Sequence, residues 1–125
     1  MMVLVDTSVW IDHLRQGEQQ LVRFLDAERV LMHPFVRGEL ACGSLANRDE
    51  VLYLLGNLPR VPLATDEEAL LFIERHRLMG QGIGYIDIHL LASVVLSDEA
   101  RLWTRDRRLA TAAHELGLAL PEPTP

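Results

Sequence analysis

Four acidic residues of this chain stand where acids are costly or conspicuous. Asp6 closes the apolar run "MVLVD", Glu39 lies in "RGELACG", Asp87 is set among Tyr85, Ile86, Ile88, Leu90 and Leu91, and Asp106 follows "RLWT". Each has an ordinary reading when taken alone. Asp87 reads as half of a buried ion pair with an arginine, Asp6 and Asp106 as helix N-caps, and Glu39 as a surface partner of Arg37 or Arg48. Taken together they read differently, because strand-end acids of a parallel sheet share one edge, and helices entering from that edge can bring Glu39 and Asp87 to it. Carboxylates converging in one cleft need raised pKa values or bound cations. All-oxygen ligation selects a hard ion, Mg2+ or Mn2+. Such a centre activates water, orients a phosphodiester and offsets charge on the leaving oxygen. The hydroxyls of Thr7, Ser8 and Thr104 are placed to hold a carboxylate or a metal-held water, although Thr7 or Ser8 also serves as a cap for the helix that follows.

Elements must put these residues in place. "MVLVD" predicts a short buried strand, followed at once by the helix "TSVWIDHLR". "EQQLVRFLDAE" groups Leu21, Phe24 and Leu25 on one helical face, and "RVLMHP" forms a second strand closed by Pro34. Two helices, "FVRGELACGSL" and "DEVLYLLGNL", precede an extended piece, "RVPLA", bracketed by Pro59 and Pro62. "DEEALLFIERHRLMG" carries acids first, bases last and a glycine stop. The turn "GQGIG", the helix "YIDIHLLASVVL", the strand "RLWT", the helix "DRRLATAAHELG" and the triplet "LAL" complete the order. Strands that are continuous apolar runs alternating with helices describe an α/β fold whose parallel sheet is covered on both faces. Residues 1–120 form one domain, and "PEPTP" at 121–125 is a flexible tail.

Composition narrows the functions. With 49% hydrophobic and 24% charged residues the chain is an ordinary globular protein. A single cysteine, Cys42, excludes an internal disulfide and reads as a small core residue. The absence of a secretion signal makes the cytoplasm the expected location, and "IGYIDIHLLASVVL" is too short to span a bilayer. The net charge is −6 and all twelve bases are arginines, so nucleic acid would be handled by a local site and not by a basic surface. His13, His33, His76, His89 and His114 have no metal-ligand spacing. Trp10, Phe35 and Trp103 suit a core more than base stacking.

The set "VLVDTSVWIDHLR", "RGELACG", "GYIDIHLLASVVL" and "LWTRDRRLATAAHELGL" resembles the PIN-domain ribonucleases, and most closely the VapC toxins of type II toxin–antitoxin modules. The likeness runs over nearly the whole chain. It implies a PIN-like α/β/α sandwich with a central, mostly parallel sheet of about five strands. It implies a Mg2+- or Mn2+-dependent endoribonuclease with its acids at Asp6, Glu39, Asp87 and Asp106 and its small polar position at Thr104. It implies a VapB-like antitoxin partner whose C-terminal segment crosses the groove, an RNA substrate such as a tRNA or ribosomal RNA loop, and a homodimer. Lacking lysine, the chain leaves substrate phosphates to arginines such as Arg37, Arg105, Arg107 and Arg108, although "RDRR" at a helix start also suits a solvated face.

Rival readings fare worse. A receiver-like signalling domain needs a strand-end lysine and an acid pair after its first strand, and both are missing. A haloacid dehalogenase-type phosphatase needs a second Asp two residues after the first, where this chain has Ser8. A PIN fold kept as a catalytically silent binding module remains as the alternative, made less attractive by the intact acids.

Overall fold

The computed structural model describes residues 1–121; residues 122–125, which make up most of the expected tail, lie outside the described residues. Its centre is a parallel sheet in the order β2-β1-β3, with β1 at Met2–Val5, β2 at Val30–Leu31 and β3 at Ala100–Trp103. The middle strand is sealed on both faces, since Val3, Leu4 and Val5 are all fully buried. Each such side chain contributes about 1.5–3 kcal/mol relative to exposure, which is why three consecutive apolar residues suffice to place β1.

Two further extended segments flank the sheet through one bridge each, Met32 with Arg60 and Leu102 with Ala119. They are the expected "RVPLA" and "LAL". Pro59 and Pro62 lack the amide hydrogens that a longer ladder beside β2 would use.

Among the described residues seven helices follow the expected order: α1 Thr7–Gln16, α2 Gln19–Asp26, α3 Pro34–Ala41, α4 Arg48–Gly56, α5 Asp66–His76, α6 Tyr85–Leu96 and α7 Arg107–Glu115. Helix α1 packs on α3, α3 on α4, and α6 on both β3 and α5. Helix α6 is apolar nearly all round, with every residue from Ile88 to Val94 buried, and it forms the largest wall of the core.

Several local expectations change. Thr7 and Ser8 do not cap α1; they lie in its first turn, and the N-cap position falls to Asp6, whose side chain makes no capping bond. Helix α5 begins with a reciprocal capping box between Thr65 and Glu68 and stops at Arg77 in the left-handed region (φ 54°), ahead of Gly80. Cys42 is exposed just past the end of α3 and takes no part in the core.

The register prepares the site. Val5 pairs with Trp103 and Leu4 with Leu31, so one residue beyond β1 puts Asp6 beside Thr104, and two residues beyond β2 puts His33 at the same carboxyl edge. The connection after β1 leads to β2 on one side and the connection after β3 leads to the Ala119 segment on the other, and open α/β sheets form their crevices at such a point.

Candidate functional site

Asp6 is buried at 5% exposure, and its Oδ2 accepts two hydroxyl hydrogens, from Ser8 Oγ at 2.8 Å and Thr104 Oγ1 at 2.7 Å. Each hydroxyl in turn accepts a backbone amide: Arg105 N–H to Ser8 Oγ at 3.0 Å, and Asp106 N–H to Thr104 Oγ1 at 3.0 Å. A hydroxyl has one hydrogen, so an amide arriving from one side commits that hydrogen to Asp6 on the other. Oδ2 is thereby saturated, and Oδ1 makes no hydrogen bond among the described residues. The backbone of Asp6 is fixed as well, by its N–H to Trp103 O at 2.9 Å.

The neighbouring hydroxyl serves a second acid. Thr7 Oγ1 donates to Glu39 Oε1 at 2.8 Å, tying the start of α1 to the middle of α3. Thr7 and Ser8 therefore hold carboxylates, with no part in capping. Asp106 takes its capping role: Oδ1 caps α7 by accepting from the amides of Arg108 and Leu109 at 3.0 and 3.1 Å, and Oδ2 makes no hydrogen bond among the described residues.

Asp87 sits half-buried in the first turn of α6. Burial, and then the charges of Asp6, Asp106 and Glu39, push its pKa up from 3.8 to about 6. The same three acids singled out by sequence are thus the ones whose fields Asp87 feels. The ordinary readings of Asp87 and Glu39 lose their support here. Among the described residues the ion pairs are His89 with Asp66 and Arg105 with Asp12 and Glu18, and none involves Asp6, Glu39, Asp87 or Asp106. Arg48, the suggested partner of Glu39, donates instead to the carbonyls of Ala41 and Gly43.

The four acids do not close on a point: no three Asp, Glu, His or Cys side chains among the described residues form a ready-made ligand cage. The donor set still fits a hard cation. It is all oxygen, it has no cationic side chain to neutralise it, and Mg2+ keeps several waters and takes only one or two carboxylates directly.

The arginines separate. Arg105 is bound to Asp12 at 2.5 Å and to Glu18, with its guanidinium 5.8 Å from the Trp103 ring centre, so it is committed to structure and not free for a phosphate. Arg108 lies against Gly82, where an added Cβ would come within 2.5 Å of Nη1; Gly82 has φ +75° and leads the loop into α6. Arg107 is exposed at the start of α7. Arg37 stands away from the acids: its Nε donates to Leu52 O at 3.0 Å, and its guanidinium lies on Gly56.

Trp10 is core, Trp103 packs edge-on to Phe24, and Phe35 stays exposed between the rings of His33 and His89. Sequence reasoning passed over His33. It is buried, its Nδ1 accepts the Phe35 amide at 3.0 Å and so caps α3, the helix that carries Glu39. Burial, His89 and Arg60 hold its pKa down at about 4. The clue was its place two residues beyond a strand and immediately before Pro34.

A family model described as PIN domain matches residues 3–115 of this chain. Ribonuclease VapC32 of Mycobacterium tuberculosis, in strains CDC 1551 / Oshkosh and ATCC 25618 / H37Rv, is 51% identical over 121 residues, which cover 97% of this chain and 98% of the relative.

Proposed function

The chain belongs to the PIN-domain family, and from that premise we propose that it is the ribonuclease toxin of a VapBC-type toxin–antitoxin system, hydrolysing RNA phosphodiesters with a divalent cation, Mg2+ or Mn2+. The observation that carries the reading is the set of acids held without any cationic partner among the described residues: Asp6 fixed by Ser8 and Thr104, Glu39 fixed by Thr7, and Asp87, whose carboxyl is raised to about 6 first by burial and then by Asp6, Asp106 and Glu39. Ribonuclease activity is what the name of the 51%-identical relative states.

In this reading Asp6 and Asp87 would hold the cation, with Glu39 and Asp106 as the neighbouring acids. Bound there, the ion supplies an activated water and offsets charge on the leaving oxygen. Ser8 and Thr104 fix the Asp6 carboxylate through Oδ2 and leave Oδ1 without a hydrogen bond among the described residues. Thr7 does the same for Glu39. No side-chain nucleophile is required.

The partner belongs to the same proposal. A groove of about 360 Å3 has an apolar lining of Ile11, Leu14, Leu40, Leu45 and Val51, with Arg15 and Glu39 as its charged residues. It suits an apolar segment followed by a cation, which is what an antitoxin needs to cover the acids. A homodimer is proposed as well, with exposed Tyr53 and Leu54 on α4 and Leu70 and Leu71 on α5 as available apolar surface; sedimentation velocity on the purified chain tests it. No helix among the described residues is long and apolar enough to cross a membrane.

Incubation of the purified protein with a tRNA and ribosomal RNA pool, with Mg2+ or Mn2+ and again with EDTA, tests the function. Internal cleavage that needs the metal is the expected result. Cleavage undiminished by EDTA contradicts the metal reading, and no cleavage with any divalent ion favours the silent binding module.

A further inference from the structure

Arg37 left the acid site only to find different company. On the far side of α3 from Glu39 lies a second cleft, of about 240 Å3, walled by α3, α4 and the segment ending at Arg60. Its charged lining residues are Arg37 and Arg60, the rest being apolar or glycine, among them Met32, Pro34 and Leu52. In a chain with 18 acids and 12 bases, a concavity holding two arginines and no carboxylate is an exception. Neither arginine has an ion-pair partner among the described residues.

The cleft is built, and Arg37 in particular is set in advance. Its Nε is spent on the Leu52 carbonyl, leaving both Nη groups for a ligand. Its guanidinium lies on the Gly56 backbone, where an added Cβ would stand 3.1–3.2 Å from Nη2, Cζ and Nε. Arg60 is anchored through the backbone bridge to Met32. A guanidinium fixed in place recognises an oxyanion with little ordering cost, and low-dielectric walls focus its field.

We propose that the Arg37–Arg60 cleft is an anion subsite that takes a backbone phosphate of the RNA strand running through the acid site. This rests on the ribonuclease reading for the identity of the strand. Position supports it: the Arg60 segment and the Asp6 strand are separated by β2 alone, two strand spacings or about 10 Å, with α3 as the ridge between the two clefts. The arginines supply the attraction for phosphate that the acidic cleft cannot supply before its cation is bound. The apolar floor accommodates a ribose or base edge.

Fluorescence anisotropy with a labelled mixed-sequence single-stranded RNA, titrated over salt with no divalent metal present, measures the subsite independently of cleavage. For Arg37→Gln/Arg60→Gln the expected result is weaker binding and a log K against log [salt] slope reduced by about 0.7 per arginine removed. A slope equal to wild type overturns the proposal. Arg60→Gln alone, which leaves the Arg37 bond to Leu52 intact, should give half the reduction and controls for loss of fold at α4. Polyglutamate of equal charge should compete poorly; competition as strong as RNA overturns the RNA assignment in favour of an acidic peptide. If wild type cuts no RNA while the slopes still fall, the ribonuclease reading fails and the subsite stands; if it cuts and the slopes do not fall, the reverse holds.

Discussion

Thr104 donates its only hydroxyl hydrogen to Asp6 Oδ2 at 2.7 Å because the Asp106 amide, at 3.0 Å, occupies its acceptor side. The relationship is set by the sheet: Val5 and Trp103 are paired, so the residue after each strand meets its neighbour across the ladder. A threonine beyond β3, together with Ser8, thus decides which oxygen of Asp6 is left without a hydrogen bond.

Thr104→Val removes both halves of this relay. Cleavage in Mg2+ should fall about 10–100-fold, the usual cost of losing an outer-shell partner of a ligating group, and stability by about 1–3 kcal/mol for the polar groups left unpaired. Thr104→Ser should restore most of both. Cleavage rates and thermal melts of the two variants check it, and equal losses in Val and Ser would show that the hydroxyl is not what matters.

Asp87 should make the metal-free protein less stable as pH rises. Its folded pKa, about 6, exceeds the model-peptide value of 3.8, so the folded state binds the proton more tightly. Its contribution is greatest below pH 4 and is lost as pH rises through about 6. Asp87→Asn should therefore melt above wild type at pH 8 in EDTA, by on the order of 1 kcal/mol after solvent screening. Mg2+ should narrow the gap by stabilising wild type alone. A lower melting temperature for Asp87→Asn under both conditions would contradict this.

His33 should act in the opposite direction. Its folded pKa lies at about 4, below the model value of 6.5, so stability is present above pH 6.5 and is lost as pH falls toward 4. Protonation of Nδ1 would also break the cap on the Phe35 amide. His33→Asn keeps a capping oxygen and should flatten the acid limb of the melting profile between pH 6.5 and 4. An unchanged limb would place the acid sensitivity elsewhere.

Arg105→Gln should cost stability and leave RNA binding alone. Its partners, Asp12 and Glu18, are partly exposed, so the loss should be at most about 1 kcal/mol. Melts together with the anisotropy salt slope check both parts, and a slope that falls would return Arg105 to the phosphate path.

Much of this was legible in the chain itself. Val3, Leu4 and Val5 form a continuous apolar run because β1 is covered on both faces, and that pattern survives in one dimension. Asp87 stood out for the same reason, as a carboxylate in the most apolar helix. Pairing choices were less legible. That Arg105 turns to Asp12 and Glu18, that the acid Thr7 holds is Glu39, and that Arg37 shares a cleft with Arg60 all depend on which surfaces meet. Those residues are far apart in sequence, and their side chains have several partners of equal chemistry. Cys42 was misplaced because a small residue near a helix end fits core or surface equally well.

The central claim is that the Asp6 carboxylate, held by Ser8 and Thr104, serves metal-dependent RNA cleavage. The most direct test is cleavage of a structured RNA pool by wild type and by folded Asp6→Asn, each in Mg2+ and in Mn2+. Wild type should cut and Asp6→Asn should fall to background in both metals. Equal cutting by the two proteins would contradict the account.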